Sequence, residues 1–199
     1  MTSKLLSKKI IIIGNGGWGT ALAILLYKKG YEVTLWGSDA TYSDYLREKR
    51  ENVKYLKGIP IPSGICITSN ISQKLLDVHI VVVATPTPYL RSVLIKFKDF
   101  FVQGTPVVSV TKGIENDSLM RPSEIITSVL GNQPVSLLLG PSHAEEVARG
   151  LPTTIVASSK DVALSRTVQE IFTTDRFRVY TNPDMIGVEL GAAMKNVIA

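Results

Sequence analysis

Residues 9–29, KIIIIGNGGWGTALAILLYKK, constrain this chain more than any other stretch, because three local patterns follow one another in a fixed order. Ile10 to Ile13 are four β-branched residues in a row, which suits a parallel strand buried on both faces. Gly14, Gly16 and Gly19 then make G-x-G-x-x-G, and Ala21, Leu22, Leu25 and Leu26 give the i, i+3, i+4 spacing of a helix with one buried face. Strand, glycine turn and helix in that order form a dinucleotide-binding unit. Gly14 permits the tight turn, Gly16 removes a Cβ so that a pyrophosphate can approach the backbone, and Gly19 lets the helix pack on the strand. The helix N-terminus faces the phosphates, where its N–H groups and dipole favour negative charge.

Size and composition narrow the remaining classes. A chain of 199 residues with 45% hydrophobic and 20% charged residues can bury a real core, and no apolar run approaches membrane-spanning length. Gly14 ends the first apolar run too early for a secretory leader. Cys66, the only cysteine, excludes an internal disulfide, fits a reducing cytoplasm and is expected to be a small core residue. The net charge of +5 is spread as single cations, which favours small anionic ligands over a nucleic-acid groove. There is no His/Cys cluster with metal-ligand spacing.

Further along, Lys28-Lys29-Gly30 reads as a helix stop and residues 32–36 as the second strand. Asp39, 20 residues after Gly19, is placed either to bind a ribose 2′-hydroxyl or to cap the helix expected over 40–49. Residues 50–65, with GIPIPSGI, read as a long loop that places Tyr55 over the ligand. Strands are expected over 66–68, 79–84, 106–110, 135–139, 153–158 and 177–180, and helices over 71–76, 89–97, 121–130 and 162–172. His79 starts its strand and is a packing residue, because active groups lie beyond the carboxyl ends. At those ends come Thr85-Pro86-Thr87-Pro88, a rigid polar turn, and Lys112, which either meets an anion or is solvated. Ser142 and Glu145 form S-x-x-E, a capping box, and His143 is a solvent-facing residue at that helix start. Beyond Pro183, residues 184–199 read as a helix with Ile186, Leu190, Ala193 and Val197 on one face. Lys195 lies off that face, beside small residues, and is either a working ammonium or a cation near a helix end. The fold class is therefore α/β: a doubly wound, Rossmann-type, mostly parallel sheet.

GNGGWGTALA, VTLWG, ENVKYL, VTKGIE, GPSHAEEV, FRVYTNPD and GVELGAAMKNVIA occur in an order that resembles bacterial NAD(P)-dependent glycerol-3-phosphate dehydrogenases across nearly the whole sequence. The resemblance implies reversible hydride transfer between NAD(P)H and dihydroxyacetone phosphate, giving sn-glycerol 3-phosphate for phospholipid precursors. It implies cofactor contacts at Gly17, Trp18, Tyr55 and Ala144, substrate contacts at Gly140 and Ser142, and a lysine shared by cofactor and substrate at Lys112. Lys195 matches the family's proton-transfer residue. An ammonium there would stabilise the charge that hydride arrival leaves on a ketone oxygen. A homodimer is the assembly expected of the full-length form.

Two departures from the pattern matter. Where the family often has a basic residue suited to a 2′-phosphate, this chain has Gly37-Ser38-Asp39, so Ser38 and Asp39 are expected at the ribose and NADH is favoured over NADPH. The resemblance also implies continuation into an all-α second domain carrying an arginine-asparagine pair for the substrate phosphate, whereas this sequence ends four residues after Lys195. The expectation is a dinucleotide-binding domain over 1–182 and the opening helix of a substrate domain over 183–199. That 199-residue species should bind cofactor with little turnover. The alternatives are a non-catalytic dinucleotide-binding module and a related reductase acting on β-hydroxyacids.

Overall fold

In the computed structural model residues 8–71 and 78–198 are described, with backbone alone for 195–198. The helix expected over 71–76 lies almost wholly outside the described residues. The first unit forms as its sequence dictates: β1 (Lys9–Ile13), then α1 (Gly17–Lys28), then β2 (Glu32–Trp36). α2 (Ala40–Lys49) leads to a hairpin of β3 (Glu51–Asn52) and β4 (Leu56–Pro60), and then to β5 (Cys66–Thr68). β6 (Ile80–Val83), α3 (Thr87–Phe97), β7 (Val107–Ser109), α4 (Pro122–Leu130) and β8 (Val135–Leu139) make the second half. A short α5 (Ala144–Ala148), β9 (Thr153–Ser159), α6 (Val162–Phe172), β10 (Phe177–Thr181) and α7 (Met185–Ile198) complete the chain.

Eight strands pair in the order β10-β9-β8-β7-β6-β1-β2-β5. All neighbours are parallel except β8 and β9, so the sheet is mostly parallel and the doubly wound reading holds. The β-branched run of β1 is buried on both sides. Ile10 and Ile12 pack with Leu22, Leu26 and Leu35 on one face, Ile11 and Ile13 with Val83, Leu90 and Phe97 on the other. At about 1.5–3 kcal/mol for each large aliphatic side chain withdrawn from water, that strand anchors the helical layers on both faces of the sheet. Lys29 joins the layers at the far end: its Nζ donates to the carbonyls of Glu170 and Thr173, which close α6, and burial holds its ammonium below the usual lysine range.

Four expectations need correction. Residues 50–65 are not a structureless loop, because β3 and β4 pair antiparallel outside the main sheet; short-range pairing tolerates the prolines and glycines that bar a central strand. Cys66 is exposed, since β5 is an edge strand whose buried residue is Ile67. The Thr85-Pro86-Thr87-Pro88 turn is shorter than expected, for α3 already begins at Thr87, and proline is compatible with a first helical turn. The capping box at Ser142 does not form: His143 is the N-cap residue of α5, with no side-chain capping bond.

Candidate functional site

The order of strands reverses between β1 and β6, and a crevice opens beyond their carboxyl ends, where ligands of such sheets bind. The glycine turn lies in it. Gly14 has φ +123°, and a Cβ there would stand 2.6 Å from the Ala84 carbonyl oxygen. A Cβ on Gly19 would collide with the Gly14 carbonyl, so helix and turn touch backbone to backbone. Gly16 differs: nothing lies within 4 Å of its Cβ position, which faces open space. Gly16 is also the N-cap of α1 and offers no side-chain bond, leaving first-turn amides for an incoming anion.

Around this turn the structure gathers residues far apart in sequence. A Cβ on Gly17 would meet the carbonyl oxygen of Tyr55 and come within 3.6 Å of Ala144 Cβ, so the hairpin tip and α5 both reach the turn. Tyr55 is half-exposed, edge-on to Tyr42 at 5.8 Å between ring centroids, with Lys54 Nζ 5.0 Å from its ring. A cavity of about 240 Å³ beside the turn is lined by Trp18, Thr85, Lys112, Ser142, His143 and Ala144. Lys112 Nζ donates to the Gly140 carbonyl at 3.0 Å and stands 5.9 Å from the Trp18 ring centroid. Ser142 is buried and turns back toward the Gly140 carbonyl at 3.5 Å instead of capping a helix. His143 is exposed, as expected. Trp18 Nε1 is buried and has no hydrogen-bond partner among the described residues.

Asp39 does cap α2, its Oδ1 accepting from Tyr42 N at 3.0 Å, and it remains exposed beside the exposed Ser38 at the end of β2. Capping thus accounts for one oxygen of Asp39 without excluding a ribose contact by the other. Lys195 falls on α7, but its side chain is outside the described residues. His79 sits at the opposite, amino end of β6, where burial and then the charge of Lys8 hold its imidazole below the usual range. It is remote from the crevice, as its position in sequence predicts.

Sequence reasoning missed a set of threonines that hold these walls. Thr85 Oγ1 donates to the Ile13 carbonyl, Thr111 Oγ1 to that of Thr85, and Thr87 Oγ1 to that of Lys112. Each ties the end of one strand to the next, and the only advance signal, a polar β-branched residue directly after a mostly apolar run, marks Thr85 and Thr111 but not Thr87. Among the described residues no group of three His, Cys, Asp or Glu could hold a metal, and no helix is long and apolar enough to cross a membrane. A Gly16 whose Cβ position faces open space and uncapped helix amides behind it are what a pyrophosphate-bearing ligand needs, so the residues present fit a dinucleotide.

Comparisons with known proteins converge on the same reading. A family model described as the N-terminus of NAD-dependent glycerol-3-phosphate dehydrogenase matches residues 9–165. A curated glycerol-3-phosphate dehydrogenase [NAD(P)+] of Clostridium tetani is 44% identical over 197 residues, covering 99% of this chain and 56% of that protein. One from Chlorobium phaeobacteroides is 45% identical over 194 residues, covering 96% and 58%. The crystal structure of glycerol-3-phosphate dehydrogenase from Coxiella burnetii superposes with a TM-score of 0.91 at 33% identity, over 96% of this chain and 59% of that one. The chain therefore spans little more than half the length of the relatives it matches.

Proposed function

This chain belongs to the NAD-dependent glycerol-3-phosphate dehydrogenase family, through that family's N-terminal part, and on that premise we propose that its crevice binds NAD(P)H for the reduction of dihydroxyacetone phosphate to sn-glycerol 3-phosphate. The carrying observation is the juxtaposition of an open Gly16 with a cavity walled by Trp18, Lys112, Ser142 and Ala144. Gly14 to Gly19 and the first turn of α1 hold the pyrophosphate, and the nicotinamide supplies or accepts hydride when bound. Trp18, Tyr55 and Ala144 flank it. Lys112, fixed through the Gly140 carbonyl and by Thr87 on its own carbonyl, presents positive charge to both ligands. Gly140 and Ser142 contact the substrate. Lys195, on α7, gives its proton to the ketone oxygen as charge develops there. In this reading residues 183–199 open the substrate domain of a cytoplasmic, dimeric full-length enzyme.

The first test separates the two lysines in full-length protein. Lys195→Ala lowers kcat by about a hundredfold or more, the scale of a lost general acid, while the NADH Kd stays within about twofold. Lys112→Ala raises both the NADH Kd and the substrate KM by about tenfold or more. Near-normal kcat in Lys195→Ala would remove the proton-transfer role and leave a helix-end cation.

Cofactor choice follows from Asp39. A carboxylate at the end of β2 repels a 2′-phosphate, and each ~1.4 kcal/mol of repulsion is about tenfold in affinity. NADH should bind about tenfold more tightly than NADPH, and Asp39→Asn, which can still cap α2, should narrow the gap. Calorimetry with both cofactors at one ionic strength measures it. Equal affinities in the unaltered protein would take Asp39 out of the ribose site.

A further inference from the structure

Asn52 is fully buried on β3 and takes no part in the chemistry above, yet its side chain joins four segments. Its Nδ2 donates to the Asn15 carbonyl at 3.0 Å and to Thr20 Oγ1 at 2.7 Å. Its Oδ1 accepts from the Tyr42 hydroxyl at 2.5 Å and from Tyr55 N at 3.2 Å. Both donors and both lone pairs of the amide are used, so only one orientation of that side chain satisfies the site. Asn15 is the residue between the first two glycines of the turn, and its own amide packs against Gly37 while donating to Ser43 Oγ at 3.3 Å.

The consequence lies in the peptide joining Asn15 to Gly16. It is trans, and in a trans peptide the N–H points away from the C=O. Asn52 holds the C=O from the protein side, so the Gly16 N–H is directed to the opposite side, and the Cβ position of the same residue borders open space. We propose that Asn52 is a positioning residue for the cofactor: it locks the Asn15–Gly16 peptide so that the Gly16 amide is aimed at the pyrophosphate, and through Tyr55 N it sets the hairpin tip against the same turn. This rests on the dinucleotide reading above. A mobile peptide at this place would have to be ordered on binding, and that cost would be taken from affinity.

The test uses this chain, with Asn52→Ala and the nearly isosteric Asn52→Asp, which keeps the acceptor contacts and loses the donor. Gln169→Ala, which removes a 2.7 Å bond to the Val179 carbonyl at the far edge of the sheet, is the stability control. Asn52→Ala and Asn52→Asp should each weaken NADH tenfold or more, whereas Gln169→Ala should lower the melting temperature and leave the NADH Kd within twofold. In ligand-free protein the NMR order parameter of the Gly16 amide should fall from the rigid range of about 0.85 to below about 0.6 in both Asn52 variants and stay unchanged in the control. NADH affinity within twofold of the parent in Asn52→Asp, or a Gly16 amide as rigid as before, overturns the proposal. Absence of NADH binding by the folded parent overturns the dinucleotide reading instead, and the order parameter still judges the lock on the peptide.

Discussion

Gly16→Ala is expected to abolish tight dinucleotide binding in a protein that remains as stable as its parent, and Gly19→Ala to impair both binding and stability. The difference is in what each new methyl would meet. At Gly16 the Cβ position faces open space and φ is −71°, which alanine adopts freely. The folded state is not strained, and the stability change should stay within about 0.5 kcal/mol, a small loss at the N-cap offset by a less flexible unfolded chain. That same methyl occupies the surface a phosphate must reach, so the NADH Kd should rise by about a hundredfold. At Gly19 the methyl would collide with the Gly14 carbonyl oxygen, stand 3.0 Å from the Gly14 carbonyl carbon and crowd Ala84 Cβ at 3.3 Å. The obstacle is backbone inside the core and cannot swing aside. Overpacking of this kind costs about 3 kcal/mol and shifts α1 away from β1, carrying the anion-facing amides with it. Urea denaturation and NADH calorimetry on both variants check the pair. If Gly16→Ala bound NADH as the parent does, the open face of Gly16 would not be the phosphate site.

This contrast also shows what can be read from a sequence of this kind. Patterns carried by neighbouring residues were legible: the β1–turn–α1 unit, the parallel core strands and the cap at Asp39 depend on residues within a few positions of one another. Where the chain folds back on itself the reading failed. Ser142 and Glu145 have capping-box spacing, but the preceding Gly140-Pro141 turn rotates Ser142 into the cavity and the helix begins one residue late. Gly58 and Pro60 fall within β4, and Pro62 and Gly64 follow it, which hid a two-stranded hairpin with little alternation. The site followed the same division. Glycines announce themselves by type and spacing, but Asn52 reaches Asn15 and Thr20, and Glu189 reaches Ser123, across tens of positions, and no local pattern foretells their burial.

Glu189→Ala should be the most destabilising substitution of a charged side chain among the described residues, at about 3 kcal/mol. The periodicity of α7 marks Ile186 and Leu190 as its apolar stripe, yet both are exposed and the residue turned inward is Glu189, 3% exposed. Its Oε1 accepts from the Ser123 amide at 2.8 Å, and its Oε2 accepts from Ser123 Oγ at 2.7 Å and from Arg121 Nη1 at 2.8 Å. The carboxylate thereby does what Arg121, at the N-cap of α4, cannot: it satisfies a first-turn amide and places negative charge at that helix's positive end. Alanine would leave a buried amide and hydroxyl unpaired and a guanidinium with only the half-exposed Glu124 as partner, the condition in which breaking a buried pair costs most. For a chain of this size that loss is roughly 10 °C in melting temperature. Glu124→Ala, which removes the other and more exposed partner of Arg121, should cost about 1 kcal/mol or less. Denaturant midpoints at constant slope measure both. Because the contact joins α7 to α4, hydrogen exchange should quicken along α7 before the rest of the fold, and with it the helix that carries Lys195. A loss below about 1 kcal/mol with α7 still protected would show that the helix is held by its packing on β8 and β9 and not by this carboxylate.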